Sequence, residues 1–398
     1  MKIYSPNLFI EINYSEYIFI VGDENENNEF KLIYKHTVPI QGIENYRIID
    51  FDLVFNILKK NIYLIEQKLN FTFKMTTLII DNFNCSFINF TGFKKLNGSQ
   101  ILKENIIYIL NSLKSKIDES EKKKTILHIF NSKYYLDKKK IENLPIGLFG
   151  DFYSHELSFI LINNNDYKNL NNIFDKCNLR VNKILLKSFV EGSYISNTNS
   201  NHNTFFQITI NKKNAQIFYF ENDALKFEQN FNFGSDLILN DISKITSLKN
   251  DVIEKILFNS DLIQITSDEE CIEKIYFENN NYRKIKKKLI IDIAAARIKE
   301  LSELFIINNI NFTVNKKKNN KIFLKINDKS NFQSFKDSYS LFFSNDNHFV
   351  VNFLDDIEIT DYINNAKKLV QFGWKKEAVP VIHPKKTLIA KFFNTLFE

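Results

Sequence analysis

Glycine is scarce in this chain. Only 9 of the 398 residues are glycine, whereas ordinary usage of about 7% would give about 28. The heavy use of Lys, Asn, Ile and Phe is typical of an AT-rich genome and accounts for part of this deficit. Loops that bind phosphate use glycine because its backbone N–H groups can approach the oxygens closely. The scarcity therefore argues against chemistry that depends on such loops.

Cysteine is also scarce, and long apolar runs are missing. The three cysteines, Cys85, Cys177 and Cys271, lie far apart without a CxxC pair, which indicates a reducing cytosolic compartment and no structural zinc. Met1-Lys2 is not followed by an apolar stretch of secretory-signal length. No uncharged run reaches the roughly 20 residues of a membrane span. We therefore expect any membrane contact to come from residues 385–398.

The overall composition is that of a soluble globular protein. Apolar residues make up 44% and charged residues 25% of the chain, and its length is enough for two or more domains. The formal charge of +6 comes without a basic run interleaved with stacking aromatics in a recognised motif. The sequence therefore predicts no nucleic-acid partner.

Residues 385–398, called the tail below, have the pattern of an amphipathic helix. Their apolar positions fall on one half of a helix; they are Leu388, Ile389, Phe392, Phe393, Leu396 and Phe397. Three lysines, Lys385, Lys386 and Lys391, flank this face, a combination typical of helices that bind anionic membrane surfaces. The alternative is a helix that packs its apolar stripe onto the domain core.

Two stretches of the chain have the pattern of strand, polar turn, strand. The first is residues 8–23 with its turn at 13–16, and the second is residues 204–220 with its turn at 211–214. Apolar periodicity predicts helices at Phe51–Leu69 and Leu289–Ile307 and a buried strand at Lys321–Ile326. The repeated hairpin indicates a two-lobed α/β fold built by duplication.

Four segments, in order along the chain, carry a family resemblance. IEINYSEYIFIVGD at 10–23 and NLPIGLFG at 143–150 resemble LDIGTTKVAALVGE and NPVGLxG, and CNLRVNKILL at 177–186 and GSDLILNDIS at 234–243 resemble CGLKVxxLxx and GGNHITNDIA. These patterns are those of FtsA, the actin-like protein of bacterial cell division, and the chain resembles that family over essentially its whole length. The tail stands where the family places its membrane-targeting helix.

The resemblance implies an α/β actin-like fold of the duplicated, ribonuclease H-like type. It adds an FtsA-type extra subdomain IC, which is SHS2-like, and a C-terminal amphipathic helix. The implied boundaries are 1–80, 164–203 and 345–376 for subdomain IA, 81–163 for IC, 204–240 and 289–344 for IIA, 241–288 for IIB, 377–384 for a linker and 385–398 for the tail.

Actin-like proteins hold ATP in a cleft, so ATP is the cofactor that the resemblance implies. It places there Glu11, Asn13, Ser15, Asn211, Lys212, Lys213, Asn214, Gly234, Glu254 and Asn327. The glycines of the family's loops are missing, and Thr209 and Gln216 replace the magnesium-side aspartates. We expect the three asparagines to keep a left-handed loop geometry and the two lysines to hold phosphate as point charges. ATP binding stays open, and neither hydrolysis nor a catalytic residue is predicted.

The implied function is non-enzymatic. FtsA-like proteins tether FtsZ to the cytoplasmic face of the inner membrane at the septum, form filaments and bind other divisome proteins. Four basic residues stand in subdomain IIB, where the family receives the acidic C-terminal peptide of FtsZ; they are Arg283, Lys284, Lys286 and Lys287. A solvated face is the alternative. His128, His155 and Asp137 suggest a hydrolytic site, but the resemblance assigns them to the filament-contact subdomain and hence to structural roles.

Three other functions remain open. A PilM-like pilus-assembly adaptor shares the fold but is not understood to anchor itself by an amphipathic tail. A working ATPase or sugar kinase of the same superfamily needs the missing glycines and aspartates. A structural protein whose tail is part of the core would lose stability, but no lipid affinity, when the tail is deleted.

Overall fold

The computed structural model describes residues 6–24, 30–198, 202–259, 269–277, 282–315, 321–344 and 348–378. The chain divides into two compact units. Unit 1 comprises residues 1–193, 222–226 and 360–398, and unit 2 comprises residues 194–221 and 227–359.

The chain begins with the strands and helices of unit 1. They are β1 (Asn7–Ile12), β2 (Glu16–Glu24), β3 (Phe30–Pro39), β4 (Ile43–Glu44), β5 (Arg47–Ile48), α1 (Phe51–Leu69), β6 (Met75–Ile80), β7 (Ser86–Lys95), α2 (Lys103–Ser120), β8 (Lys124–Leu136), β9 (Lys139–Ile141), β10 (Phe152–Asn163), α3 (Asn164–Lys176), β11 (Arg180–Leu186) and α4 (Lys187–Thr198). The boundary between the units falls inside α4.

A mixed five-stranded sheet forms the main layer of unit 1. Its order is β11-β6-β1-β2-β3, with β1 antiparallel to β2 and parallel to β6. The central strands β1 and β6 are buried along almost their whole length, as expected for strands covered on both faces. Helix α1 has the predicted bounds: the Asp50 side chain accepts from Leu53 N–H at its start, and Asn70 adopts a left-handed φ of 49° at its end.

A second, four-stranded sheet is inserted between β6 and α3. Its order is β7-β10-β8-β9, and α2 packs on one face of it. The packing is close, because a Cβ at Gly92 of β7 would lie 2.5 Å from Ile109 Cγ2. This α+β insertion covers the stretch predicted as an FtsA-type subdomain IC, an assignment that stays a prediction.

Unit 2 follows, and the chain then returns to unit 1 with the last of the described helices. The elements are β12 (Phe205–Ile210), β13 (Ala215–Glu221), β14 (Ala224–Phe231), α5 (Asp236–Thr246), α6 (Asn250–Asn259), a 3-10 turn (Lys274–Phe277), α7 (Lys287–Ser302), a π-helical turn (Glu303–Ile307), α8 (Ile310–Asn315), β15 (Lys321–Ile326), α9 (Lys329–Ser344), β16 (Val350–Phe353) and α10 (Ile359–Gln371).

The sheet of unit 2 repeats the topology of the main sheet of unit 1. Its order is β14-β13-β12-β15-β16, with β12 antiparallel to β13 and parallel to β15. In both sheets the first strand of a hairpin is central and pairs in parallel with a later strand. The predicted duplication is confirmed. Among the described helices, none combines the length and the apolar character needed to cross a bilayer.

Candidate functional site

The turn between β1 and β2 is closed by the side chain of Asn13. Its Oδ1 accepts the backbone N–H of Ser15 at 2.9 Å and of Glu16 at 2.8 Å, and the N–H of Asn13 donates to Glu16 O at 3.1 Å. Three backbone donors of this turn are therefore engaged within the turn itself. In a glycine-rich loop such donors would be available to phosphate oxygens.

The expected left-handed geometry of the asparagines is wrong. Asn13, Asn211 and Asn327 are not among the residues with positive φ, although other asparagines of the described chain, such as Asn70, are. The physical reason is that the side-chain amides of the three residues make contacts of their own. An asparagine that accepts from following N–H groups forms an Asx turn, which needs no positive φ.

Below this turn, a lysine meets a buried carboxylate. Lys187 Nζ lies 2.9 Å from Glu11 Oε1, and Glu11 is 4% exposed. Burial disfavours the ammonium, but the carboxylates of Glu11, Glu191 and Asp81 outweigh it and raise the pKa of Lys187. The Lys187 ammonium therefore neutralises the buried Glu11 carboxylate.

The turn between β12 and β13 is closed by its backbone. Asn211 N–H donates to Asn214 O, while Ser235 N–H donates to Asn211 O and Asp236 N–H to Lys212 O, each at 2.9 Å. The N-terminus of α5 therefore binds carbonyl oxygens of the hairpin. Free N–H groups at a helix N-terminus would suit an anion, and these two are occupied.

Gly234 makes this contact possible. A Cβ at this residue would lie 2.0 Å from Asn211 O, 2.8 Å from Lys212 O and 2.9 Å from Asn214 O. No side chain fits among three backbone oxygens at such distances. Gly234 therefore allows the hairpin to pack against the helix, and its nucleotide role stays a prediction.

Two side-chain contacts bridge the remaining predicted residues of unit 2. Lys212 Nζ lies 2.7 Å from Glu254 Oε1, and this hydrogen bond is the main cause that raises the pKa of Lys212. Asn327 Nδ2 donates to Asn211 Oδ1 at 2.6 Å. The structure therefore brings Asn211, Lys212, Asn214, Gly234, Glu254 and Asn327 together and joins them to one another. Lys213 is exposed.

No carboxylate stands at the expected magnesium positions of unit 2. Thr209 and Gln216 face each other across the β12–β13 ladder, and Gln216 Nε2 donates to Glu228 Oε1 at 2.9 Å. Within the described ranges no group of three or more metal-ligating side chains is placed to hold an ion.

The basic stretch before α7 is partly neutralised inside the chain. Lys287 is buried, with its ammonium on the Glu270 carboxylate, and Lys286 Nζ lies 2.7 Å from Glu269 Oε1. Arg283 Nη2 donates to Ser247 O at 3.1 Å, and Lys284 is exposed. A partner role for this stretch stays a prediction, and burial makes Lys287 a structural residue.

The chain before the tail is docked on unit 1. Residues 377 and 378 were predicted as the start of a linker, but Ala378 N–H donates to Ile129 O at 2.8 Å and Asn131 N–H donates to Lys376 O at 2.7 Å. Trp374 is 7% exposed, and its Nε1 donates to Asp223 O at 2.7 Å. The predicted membrane-binding residues of the tail lie outside the described residues.

Glu377 holds this segment electrostatically. Its carboxylate lies 3.3 Å from His128 Nδ1 and 3.0 Å from Lys183 Nζ. Burial alone would raise the pKa of Glu377, but the His128 hydrogen bond and the Lys183 charge hold it well below its usual range. Burial in turn lowers the pKa of His128, so a neutral imidazole donates to an ionised carboxylate.

Of the three suspected hydrolytic residues, His155 is buried, and Asp137 and His128 are held by contacts within unit 1. His155 is fully buried, burial lowers its pKa to about 4, and neither ring nitrogen has a hydrogen-bond partner within the described part of the chain. Asp137 Oδ1 accepts the backbone N–H groups of Asp151 and Phe152 at 2.9 and 2.8 Å. His128 is hydrogen-bonded to the Glu377 carboxylate, as described above.

Two sheets of one topology, each opened by a hairpin, define an actin-like ATPase fold. A solved structure of the PilM-PilN type IV pilus biogenesis complex matches 92% of this chain and 98% of that chain, with a TM-score of 0.55 at 9% identity. That likeness concerns the fold alone. The predicted fold class is confirmed, while the subdomain IC assignment and the tail helix are not tested by it.

Within this class, two curated relatives of the chain are both named cell division protein FtsA. The protein from Buchnera aphidicola subsp. Schizaphis graminum is 22% identical over 312 residues, which cover 77% of this chain and 73% of the relative. The one from Buchnera aphidicola subsp. Acyrthosiphon pisum is 21% identical over 299 residues, covering 74% and 71%. No protein-family model matches the chain. The resemblance to FtsA is confirmed.

Proposed function

We propose that this chain is a cell-division protein of the FtsA type. It tethers FtsZ to the cytoplasmic face of the inner membrane at the septum, assembles into actin-like filaments and binds other divisome proteins. The observation that carries this proposal is the match to curated FtsA proteins over about three quarters of the chain, 77% in one case. Those sequence relatives favour cell division over a PilM-like pilus adaptor, whose likeness here is one of fold.

Membrane attachment is assigned to the tail. Its six apolar side chains, at about 1.5–3 kcal/mol each when fully buried, supply roughly 9–18 kcal/mol gross. Ordering the backbone opposes this by about 1–2 kcal/mol per residue. One copy therefore binds weakly, and several tails on one filament bind far better through avidity. The docked residues Trp374 to Ala378 support this role, because they hold the chain in place six residues before the tail.

FtsZ binding is assigned to the exposed part of the basic stretch. Lys284 and Arg283 are exposed, and Lys286 shares its charge with a Glu269 carboxylate whose side chain is 80% exposed. An exposed ion pair is worth only about 0–1 kcal/mol, so an acidic peptide can displace Glu269 at little cost. Such charges set the association rate more than the affinity.

We also propose that the protein works without hydrolysing ATP. In unit 1 the turn donors are held by Asn13, and in unit 2 the α5 donors are held by the carbonyls of Asn211 and Lys212. A nucleotide would have to displace these contacts before it gained its own. The measurement is a thermal shift with Mg·ATP, for which no increase in melting temperature is expected. A clear increase would favour the working ATPase instead.

The main test is flotation of the purified chain with anionic vesicles, with and without FtsZ. The full chain is expected to float and to carry FtsZ with it. A chain that ends at Pro384 is expected to stay in solution with an unchanged melting temperature. If the truncated chain melts much lower, or if both forms stay unbound, the tail belongs to the core and the adaptor without an anchor becomes the better account.

A matched pair of tail variants sharpens this test. Phe392→Ser with Phe393→Ser removes apolar area, and we expect it to abolish flotation. Asn394→Ala with Thr395→Ala changes the opposite half of the predicted helix and should leave flotation unchanged. Equal loss in both variants would contradict a membrane role for the apolar face.

A further inference from the structure

A strip of lysines crosses one edge of the four-stranded sheet in unit 1. Lys138, Lys139 and Lys140 are exposed on the β8–β9 turn and on β9. Strand β9 pairs with the end of β8, where Lys140 is the partner of Tyr135. Lys376 lies beside the same strand, with its Nζ 5.3 Å from the centroid of the Tyr134 ring. These four lysines, called the lysine face below, lie along the β9 edge of the sheet, where the charge of Lys140 lowers the pKa of Lys376.

The lysine face has little negative charge of its own. Lys138, Lys139 and Lys140 form no ion pair within the described ranges of the chain. Asp137, which precedes Lys138 in the β8–β9 turn, accepts two backbone N–H groups. Burial lowers the pKa of Lys376, and the charges of Lys375 and Lys140 lower it further against the opposing effect of Asp223. A cluster of like charges attracts an external anionic surface.

An apolar loop lies at the same end of the sheet. Its exposed side chains are Leu144 at 39%, Ile146 at 52%, Leu148 at 49% and Phe149 at 70%. The loop is held in place, because Ile101 N–H donates to Leu148 O at 2.8 Å and Gly147 N–H donates to Ile101 O at 2.9 Å. Asp137 ties the lysine-bearing turn to the base of this loop through Asp151 and Phe152.

We propose that the lysine face and the apolar loop form a second membrane contact, which binds the anionic headgroups of a lipid surface. Exposed apolar side chains beside lysines are typical of surfaces that enter the interfacial layer of a bilayer. Protein interfaces are depleted in lysine at their centres, which favours lipid over a second copy of this chain. The inference rests on the proposed function, because the tail brings unit 1 to the membrane.

The position of Lys376 links the lysine face to the chain segment that leads to the tail. Lys376 precedes Ala378 by two residues. Its carbonyl oxygen accepts the backbone N–H of Asn131 in β8. Lys385 and Lys386 follow within eight residues of Ala378 along the sequence. The lysine face therefore adjoins Ala378, and only six residues separate Ala378 from the tail, so both contacts can engage one surface. The expectation from the sequence that membrane contact comes from the tail alone is thereby extended.

The test uses the full chain and vesicles of phosphatidylcholine with phosphatidylglycerol. A lysine near an anionic surface contributes about 1 kcal/mol, a factor of about five in affinity. The triple variant Lys138→Gln, Lys139→Gln, Lys140→Gln is therefore expected to bind about 100-fold more weakly at low salt, and the loss should shrink as salt rises. Phe149→Ser is expected to weaken binding about tenfold.

The matched control is Lys116→Gln, Lys122→Gln, Lys123→Gln. These three lysines are exposed in the same unit, at the C-terminal end of α2 and just beyond it. We expect the control to bind within about twofold of the unchanged chain. Equal binding by the two triple variants would overturn the inference. So would a triple variant that binds vesicles normally but loses self-association in sedimentation, because the face would then join copies of the chain.

A chain ending at Pro384 separates this inference from the proposed function. If it binds vesicles as well as the full chain does, and the lysine variant still binds more weakly, the lysine face stands and the tail is no anchor. If truncation abolishes binding while the lysine variant binds normally, the tail stands and the lysine face is overturned. If no form binds anionic vesicles, both are overturned.

Discussion

The two hairpins share a topology but are closed by different parts of the chain. In the β1–β2 turn, one side chain, that of Asn13, accepts two backbone N–H groups. In the β12–β13 turn, backbone carbonyls accept the N–H groups of α5, and Gly234 lets them approach. The first closure depends on an amide that one substitution removes. The second depends on backbone contacts between the hairpin and α5. No side chain supplies these contacts, and a side chain added at Gly234 would disrupt them.

This difference distinguishes two ways in which a hairpin turn can engage the backbone donors around it. In the first turn, two backbone donors are engaged by the side chain of Asn13 alone. In the second turn, the N–H groups at the N-terminus of α5 are engaged by backbone carbonyls of the hairpin. We therefore expect the second hairpin to be the more costly one to disturb. Four substitutions test this ranking, from the largest expected effect to the smallest.

Gly234→Ala is expected to destabilise the protein most, by about 3 kcal/mol or more. A Cβ 2.0 Å from Asn211 O forces the hairpin away from α5, and overpacking against backbone is among the costliest changes. Urea denaturation measures the loss. Lys213→Ala, an exposed change in the same hairpin, is the control and should stay near zero. A Gly234→Ala variant as stable as the unchanged chain would contradict the claim that close backbone packing holds the second hairpin against α5.

Lys187→Met is expected to destabilise unit 1 by about 2 kcal/mol. It leaves the buried Glu11 carboxylate without its ammonium partner, and an unpaired buried charge is costly. The double variant Lys187→Met with Glu11→Gln should recover much of the loss, because the pair then disappears together. Denaturation of all four combinations gives the coupling energy. Additive losses would mean that the two groups do not act as a pair.

Asn13→Ala is expected to cost about 1 kcal/mol, the usual size of a lost side-chain cap. Ser15→Ala is the control, since its hydroxyl only donates to the same Asn13 Oδ1 from an exposed position. Although Asn13→Ala frees two donors, we expect no thermal shift with Mg·ATP, because the α5 donors stay occupied. A shift in this variant would show that the first hairpin alone excludes nucleotide.

Lys212→Ala is expected to change stability by less than about 0.5 kcal/mol. The Lys212 and Glu254 side chains are 51% and 43% exposed, and exposed pairs contribute little. Thermal melts at low and high salt measure the difference, which should vanish at high salt. A loss comparable to that of Gly234→Ala would mean that side chains, rather than backbone, hold the second hairpin closed.

The fold was largely predictable from sequence. Hairpin positions and the bounds of α1 follow from short-range patterns of apolar and turn residues, and the overall architecture followed from the family resemblance. The helix predicted for 289–307 was also found, as α7 from Lys287 to Ser302 with a π-helical turn continuing to Ile307. Local signals of this kind persist where sequence identity is low.

The contacts of the candidate site were not predictable to the same degree. An Asn at the start of a turn is a signal for an Asx turn, in which its side chain accepts from the backbone two residues on. This signal could have replaced the left-handed prediction for Asn13. By contrast, Glu11 and Lys187 are 176 residues apart, and Glu377 lies 249 residues from His128. No periodicity reports such pairings. The direction of the Asn211 carbonyl likewise depends on where α5 packs.

The docked segment before the tail also has a mechanical consequence. Six residues, 379 to 384, separate Ala378 from the tail, and a fully extended chain of that length reaches about 20 Å. If the tail holds a bilayer, as proposed, that bilayer lies within about 20 Å of the edge of β8. A force applied along the tail would act first on the Ala378–Ile129 and Lys376–Asn131 hydrogen bonds. The four-stranded sheet, rather than α10, is the part of unit 1 that bears the load.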